Sequence, residues 1–318
     1  MPVSPATALP VESLVGPPAP VRGGSLSRRQ GRVGWLFILP SMTGFLVFTL
    51  VPLIAGLGIA FTDWNVVSGL SGINLVGLDN FRGLLTDPMF WSSAGRTLFY
   101  AGLAVPGTMV GGLLLGLALN LDVPGRAVLR AVFFLPHIVT SIAIGMIWLL
   151  LLNPQNGVVN NALRTLGITE PPSWLVSESW SLPSLILIAI WSGVGYCAVI
   201  YLAGIQSLPQ ELYEAAMLDG AGVWRRFRTI TWPSLMPTTT FLGVTLVISQ
   251  SQGFGLINFL TAGGPGTSTT TLSYYMYQEG FQYYRFGYAA AIGVMSFLGV
   301  IVVSALLWRY QKGRGLYT

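Results

Sequence analysis

Six long apolar runs, parted by short polar stretches that hold nearly all the charge, set the organisation of this 318-residue chain. The first lies between Arg32 and Asp63 and the second between Arg96 and Asp122; the third begins after Arg130 and breaks at Asn153-Pro154. The fourth runs from near Leu182 to Gln206, the fifth from Pro237 to near Leu260, and the last between Arg285 and Arg309. Each suffices for a hydrocarbon core, which takes about 20 helical residues. No water in that layer can satisfy a bare backbone, so only helices or a closed barrel can cross it. Uninterrupted runs of this length predict an all-α polytopic membrane protein with six transmembrane helices. Residues 28–318 are expected to form that domain. Residues 1–27, with Pro2, Pro5, Pro10, Pro17, Pro18 and Pro20, are expected to be a disordered cytoplasmic tail. A basic start followed by an apolar core and a cleavage site is lacking, so this tail does not read as a signal peptide.

Composition agrees with the pattern. The chain is 53% hydrophobic and only 8% charged, against about 25% charged in soluble domains. The net charge of +5 would suit nucleic acid, but its distribution points elsewhere. With both termini in the cytoplasm, Arg22, Arg28, Arg29, Arg32, Arg126, Arg130, Arg225, Arg226, Arg228, Arg309, Lys312 and Arg314 fall inside. Only Arg82, Arg96, Arg164 and Arg285 fall outside, as the positive-inside bias requires. The basic charge is therefore topogenic, and no nucleic-acid partner is expected. Cys197, the lone cysteine, sits in an apolar run as a small packing residue, with no intrachain disulfide open to it.

Charge also bears on energy. None of the six runs holds Asp, Glu, Lys or Arg, residues that ion-coupled carriers keep within the membrane at a cost. That disfavours a stand-alone carrier. A phosphate-binding loop needs a Gly-Lys-Ser/Thr ending, whereas the only lysine, Lys312, is followed by Gly-Arg-Gly. A membrane transferase would need paired acidic residues, and Asp63, Asp79, Asp87, Asp122, Glu170 and Glu178 are scattered. These features predict a transport subunit with no catalytic site or cofactor of its own, powered from elsewhere.

Four smaller patterns carry candidate chemistry. Glu211 to Pro233 is the longest polar interruption between two apolar runs; the orientation places this loop, within residues 207–236, in the cytoplasm. Good helix formers fill Glu211 to Leu218, Gly220 and Gly222 can end or turn that helix, and Pro233 and Pro237 bar a simple continuation. Two short helices with a sharp bend are expected, exposed for a partner to grip. Gly107, Gly111, Gly112 and Gly116 in the second run predict close helix packing. His137, the lone histidine, follows Pro136 and is expected to bond a carbonyl freed by a kink. Polar groups gather at Trp191-Ser192-Gly193-Val194-Gly195-Tyr196 and at Ser249 to Phe254, with Asn258 beyond. Facing lipid would be costly for them; they either hydrogen-bond between helices or line a path for a sugar. The outer segments 63–92, 153–181 and 261–285 are expected to be structured loops, with Trp91, Trp174 and Trp180 as headgroup anchors.

The loop carries a specific resemblance. Glu214-Ala215-Ala216, Gly220, Ile230 and Trp232-Pro233, at those gaps, resemble the EAA loop of ABC importer permeases, with Trp232 where Leu is usual. Phe133-Phe134-Leu135-Pro136, Ile147-Trp148, Asn153-Pro154, Gly157-Val158-Val159-Asn160, Trp174-Leu175, Leu260-Thr261-Ala262-Gly263-Gly264-Pro265 and Phe286-Gly287-Tyr288-Ala289-Ala290 resemble the maltose-type carbohydrate branch. The resemblance implies a type I ABC importer permease fold in a bacterial cytoplasmic (inner) membrane. It also implies a second homologous permease, two copies of a cytoplasmic ATPase holding ATP and Mg2+, and an extracytoplasmic solute-binding protein. ATPase coupling would fall to Glu214, Ala215, Ala216, Asp219, Gly220, Ile230 and Pro233. Substrate contacts would fall on Gly193, Tyr196, Ser249, Gln250 and Gly253. Transport by alternating access of a sugar or oligosaccharide is implied, with glycerol-3-phosphate or a glycerophosphodiester as the alternative cargo.

Overall fold

The computed structural model describes residues 26–122 and 124–312. The tail expected over 1–27 lies, up to residue 25, outside the described residues. The chain divides into two compact units, residues 1–55 and 56–318, so the division falls within the first apolar run. In chain order the α-helices are α1 (Leu26–Phe45), α2 (Val51–Ile59), α3 (Asp79–Thr86), α4 (Pro88–Leu119), α5 (Arg126–Ile138), α6 (Ser141–Leu151), α7 (Val158–Thr165) and α8 (Ser181–Gln206). There follow α9 (Gln210–Leu218), α10 (Val223–Arg226), α11 (Trp232–Ser234), α12 (Met236–Ser251), α13 (Phe254–Leu260), α14 (Leu272–Tyr277) and α15 (Phe286–Lys312). In the first unit a π-helical turn at Leu46–Leu50 joins α1 to α2. Its large apolar side chains from Trp35 to Val51 are largely exposed, as suits a helix surrounded by lipid.

In the second unit two crossings are sharply bent. The segments Gly34–Ile59, Pro88–Leu119, Ser181–Gln206 and Phe286–Arg309 are continuous and apolar enough to cross a membrane. The third run is α5 and α6 bent by 102°, and the fifth is α12 and α13 bent by 41°. Six crossings hold when each bent pair counts as one. The first break lies just beyond the kink expected at Pro136, and the second falls at the polar run Ser249 to Gly253, but apolar run length alone does not register either.

The centre of this unit is the α4–α8 pair. A Cβ on Gly107 would stand 2.5 Å from Ile190 Cδ1, and one on Gly111 2.8 Å from Val194 Cγ2. One on Gly112 would overlap Cys197 Cβ, and one on Gly116 would meet the Ala198 carbonyl oxygen at 3.0 Å. The small-residue spacing thus acts as expected, and fully buried Cys197 packs in the seam. Above α4, Asp87 caps its first turn by accepting from Met89 N–H at 2.8 Å, with Pro88 at the first helical position. Asp87 Oδ2 also accepts from Tyr275 (2.5 Å) and Tyr288 (2.8 Å), tying the N-terminal end of α4 to α14 and α15. Burial raises the Asp87 carboxyl, but these bonds outweigh it and hold the group below its ordinary range. Nearby Glu279 is 2% exposed and pairs with Arg285 at 2.5 Å; burial keeps its carboxyl above the ordinary range. This cluster joins two distant stretches, at residue 87 and at residues 275–288, and only the Asp-Pro capping pair marks it in the sequence.

One expected headgroup anchor is corrected. Trp91 and Trp180 are exposed, but Trp174 is half-buried. Its indole N–H donates to Asn160 Oδ1 at 2.6 Å. Asn160, 1% exposed, in turn donates to the Pro154 and Pro172 carbonyls. Trp174 therefore serves the folding of the outer segment.

Candidate functional site: a cavity at two helix breaks and an exposed helical loop

The two breaks converge. A cavity of about 480 Å³ is lined by Pro136, His137, Val139 and Ser141 at the first break and by Gln250, Gln252, Gly253 and Gly255 at the second. Ser192, Gly193 and Tyr196 from α8, Thr245 and Ser249 from α12 and Tyr100 from α4 add to the wall between them. Backbone that leaves helical geometry inside a membrane is tolerated where it borders a cavity, and interrupted helices commonly build solute sites. The volume lies in the range of about 300–1,000 Å³ typical of ligand clefts. All five residues expected to touch cargo, Gly193, Tyr196, Ser249, Gln250 and Gly253, thus border one space. Asn258 lies outside it, and Trp191 stands 44% exposed in an edge contact with Trp148.

The wall's chemistry is narrow. It offers hydroxyls (Tyr100, Ser141, Ser192, Tyr196, Thr245, Ser249) and amides (Gln250, Gln252), and contains no Asp, Glu, Lys or Arg. Such a surface can exchange hydrogen bonds in both directions and present aromatic faces, but it cannot hold a fixed charge. His137 departs from expectation. Its ring does not turn to a carbonyl freed by Pro136; it stacks on Tyr196, with centroids 4.5 Å apart and planes 20° apart. A second, larger cavity of about 670 Å³ is mainly apolar and is lined by the end of α2 (Gly56, Ile59) and by α12–α15; Gln252 borders both spaces.

The polar loop after α8 folds as two short helices with a bend. Helix α9 ends in a left-handed turn, with Gly220 at φ +73°. Ala221 N–H donates to the Ala216 carbonyl (2.9 Å) and Gly220 N–H to that of Met217 (3.0 Å), a Schellman closure. A Cβ on Gly220 would meet nothing within 4 Å, so the glycine is required by its φ rather than by crowding. Glu214, Ala215, Asp219 and Gly220 are exposed, whereas Ala216, Ile230 and Pro233 are half-buried. Beside the exposed group stand Leu218 (91% exposed) and Trp224 (71%), which nothing in the sequence sets apart from other apolar residues of the loop. The loop is braced from behind by the Tyr213–Thr231 hydroxyl pair at 2.9 Å and by Trp224 stacked on Phe227. Glu214 forms no ion pair among the described residues.

With the fold and both surfaces in place, likeness to known proteins becomes informative. The family described as "binding-protein-dependent transport system inner membrane component" matches residues 107–312, which include both helix breaks and the whole loop. The chain belongs to that family. Among relatives of this permease, a probable ABC transporter permease of Pyrococcus horikoshii is 34% identical over 87% of this chain and 95% of its own. A trehalose/maltose transport system permease of Thermococcus litoralis is 32% identical over 91% and 96%. A crystal structure of a bacterial alginate ABC transporter, in complex with a periplasmic protein bound to an alginate pentasaccharide, contains a chain that superposes with a TM-score of 0.79. That chain is 28% identical, over 92% of this chain and 98% of its own.

Proposed function

We propose that this permease is the membrane-spanning subunit of an ATP-driven importer that moves an uncharged sugar or oligosaccharide by alternating access. The observation that carries the reading is the convergence of two helix breaks on one uncharged, hydroxyl- and amide-rich cavity. Gly193, Tyr196, Ser249, Gln250 and Gly253 are its cargo contacts. Relatives named for trehalose/maltose and alginate transport support a carbohydrate. The absence of Arg and Lys from the wall gives a phosphate or its diester nothing to pair with.

The chain makes and breaks no covalent bond in this scheme. Both termini lie in the cytoplasm, and α9 with its exposed Glu214, Ala215, Asp219 and Gly220 docks on a cytoplasmic ATPase. Two such ATPase copies hold ATP and Mg2+. A second homologous permease completes the pathway, and a solute-binding protein delivers cargo from outside. Closure of the ATPase pair draws the two docking helices together and opens the cavity outward; hydrolysis resets it inward.

The test is purification of the complex followed by uptake in proteoliposomes. The permease should bring down an ATPase and a second permease, and maltose, trehalose or a longer oligosaccharide should enter only with ATP. Glu214→Trp should leave the protein inserted yet abolish coupling. Co-purification with no ATPase, or full uptake by Glu214→Trp, would sink the scheme.

A further inference from the structure

His137 is the one ring on the cavity wall contributed by the third crossing, and the reading above gives it no task. It sits on the last turn of α5, directly before the break at Val139-Thr140, with its ring exposed. Phe134 lies against it at 5.8 Å, and Tyr196 is stacked on it at 4.5 Å. The close approach of α5 and α8 that sets this stack depends on Gly195. A Cβ there would overlap the Phe133 carbonyl oxygen and stand 2.9 Å from Phe134 Cα. The neighbour of Tyr196 is thus the residue that lets His137 reach it. No hydrogen bond to Tyr196 is needed to fix its ring, because the imidazole limits its rotation by contact.

We propose that His137 is a positioning residue for cargo: its imidazole holds the Tyr196 ring as a flat platform for the C–H face of one sugar ring. The proposal rests on the reading that the cavity receives a sugar. It makes the third crossing a contributor to affinity, beside the fourth and fifth. Aromatic pairs of this geometry correspond to about three- to tenfold in an equilibrium constant.

The complete importer, with its binding protein, is assayed for uptake of radiolabelled maltose, trehalose and maltotriose. His137→Ala should raise KM about three- to tenfold with Vmax within about twofold. His137→Phe, which keeps a stacking ring, should restore KM to near the wild-type value, and His137→Gln should behave like alanine. An unchanged KM in His137→Ala, or rescue by glutamine and not by phenylalanine, overturns the positioning role. The stack is also read without any sugar. With histidine-labelled complex, the wild-type minus His137→Gln difference spectrum isolates the single resonance of this chain, and Tyr196→Leu should remove its ring-current shift. An unmoved resonance refutes the pair. If the wild-type importer takes up none of the three sugars, the sugar reading fails and the platform with it, even where the resonance upholds the stack.

Discussion

The α4–α8 pair and the bent pairs α5–α6 and α12–α13 occupy the same unit and obey opposite rules. In the first, two unbroken helices meet so closely that a methyl group has no room at Gly112. In the others, helical geometry lapses at Val139-Thr140 and Gln252-Gly253, and the lapses open onto a space rather than a seam. Both regions use glycine and small polar residues, so composition does not separate them. What separates them is what the small residue faces. A backbone across the seam makes glycine a packing device; an open space makes it a means of exposing polar groups to the cavity.

Substitutions sharpen the contrast, the strongest first. Gly112→Val drives side-chain carbon into Cys197 and the Ala198 backbone; overpacking of this kind costs about 3 kcal/mol or more. Little folded protein should survive size-exclusion chromatography in detergent. Survival with an unchanged melting temperature would mean that the seam is loose.

Asp87→Asn keeps a cap on α4 but weakens the two tyrosine bonds, for about 1–2 kcal/mol. The pH dependence follows from the lowered Asp87 carboxyl. Its contribution is present above the ordinary value of 3.8 and is lost as pH falls through the lower folded value. Glu279, held above 4.5, acts in reverse: its contribution is full below 4.5 and is lost as pH rises through the raised value. Thermal melts from pH 3 to 7 should therefore show an acid-side loss in the wild type that is blunted in Asp87→Asn. An equally steep acid limb in the variant would take Asp87 out of the account.

At the breaks, Gln250→Leu should leave the melting temperature within a degree or two while uptake falls about tenfold, as for one lost hydrogen bond. A large fall in melting temperature with normal uptake would make Gln250 a packing residue. The smallest effect is expected of Tyr201→Phe beside the seam, where one 3.3 Å bond to Thr239 Oγ1 disappears. About 0.5–1 kcal/mol should be lost, with transport unaltered; a transport defect would extend the functional region into the seam.

Much of this arrangement was legible in residues. Apolar run length gave the crossings, Gly107 to Gly116 gave the seam, and Gly220 gave the turn after α9. The five residues expected near cargo border one cavity. A kink at Pro136 was legible, but not its size of 102° or its place at Val139-Thr140, and the polar run before Gly253 did not announce a bend of 41°. The stack of His137 on Tyr196 was hidden because it depends on Gly195 admitting a carbonyl from 62 residues earlier in the chain. The Asp87 cluster was hidden because its members become neighbours only once α14 and α15 fold back onto α4.

The closed end of α9 has a mechanical consequence. A helix whose final carbonyls are free frays under load, and its tip gives way before its base moves. Here Gly220 seals the last turn and Tyr213 is latched to Thr231, so α9 is tied directly to the π-helical turn at Phe227–Thr231, which leads into α11. In the docking role proposed above, the loop would pass a push at its tip on to α11 as one rigid piece.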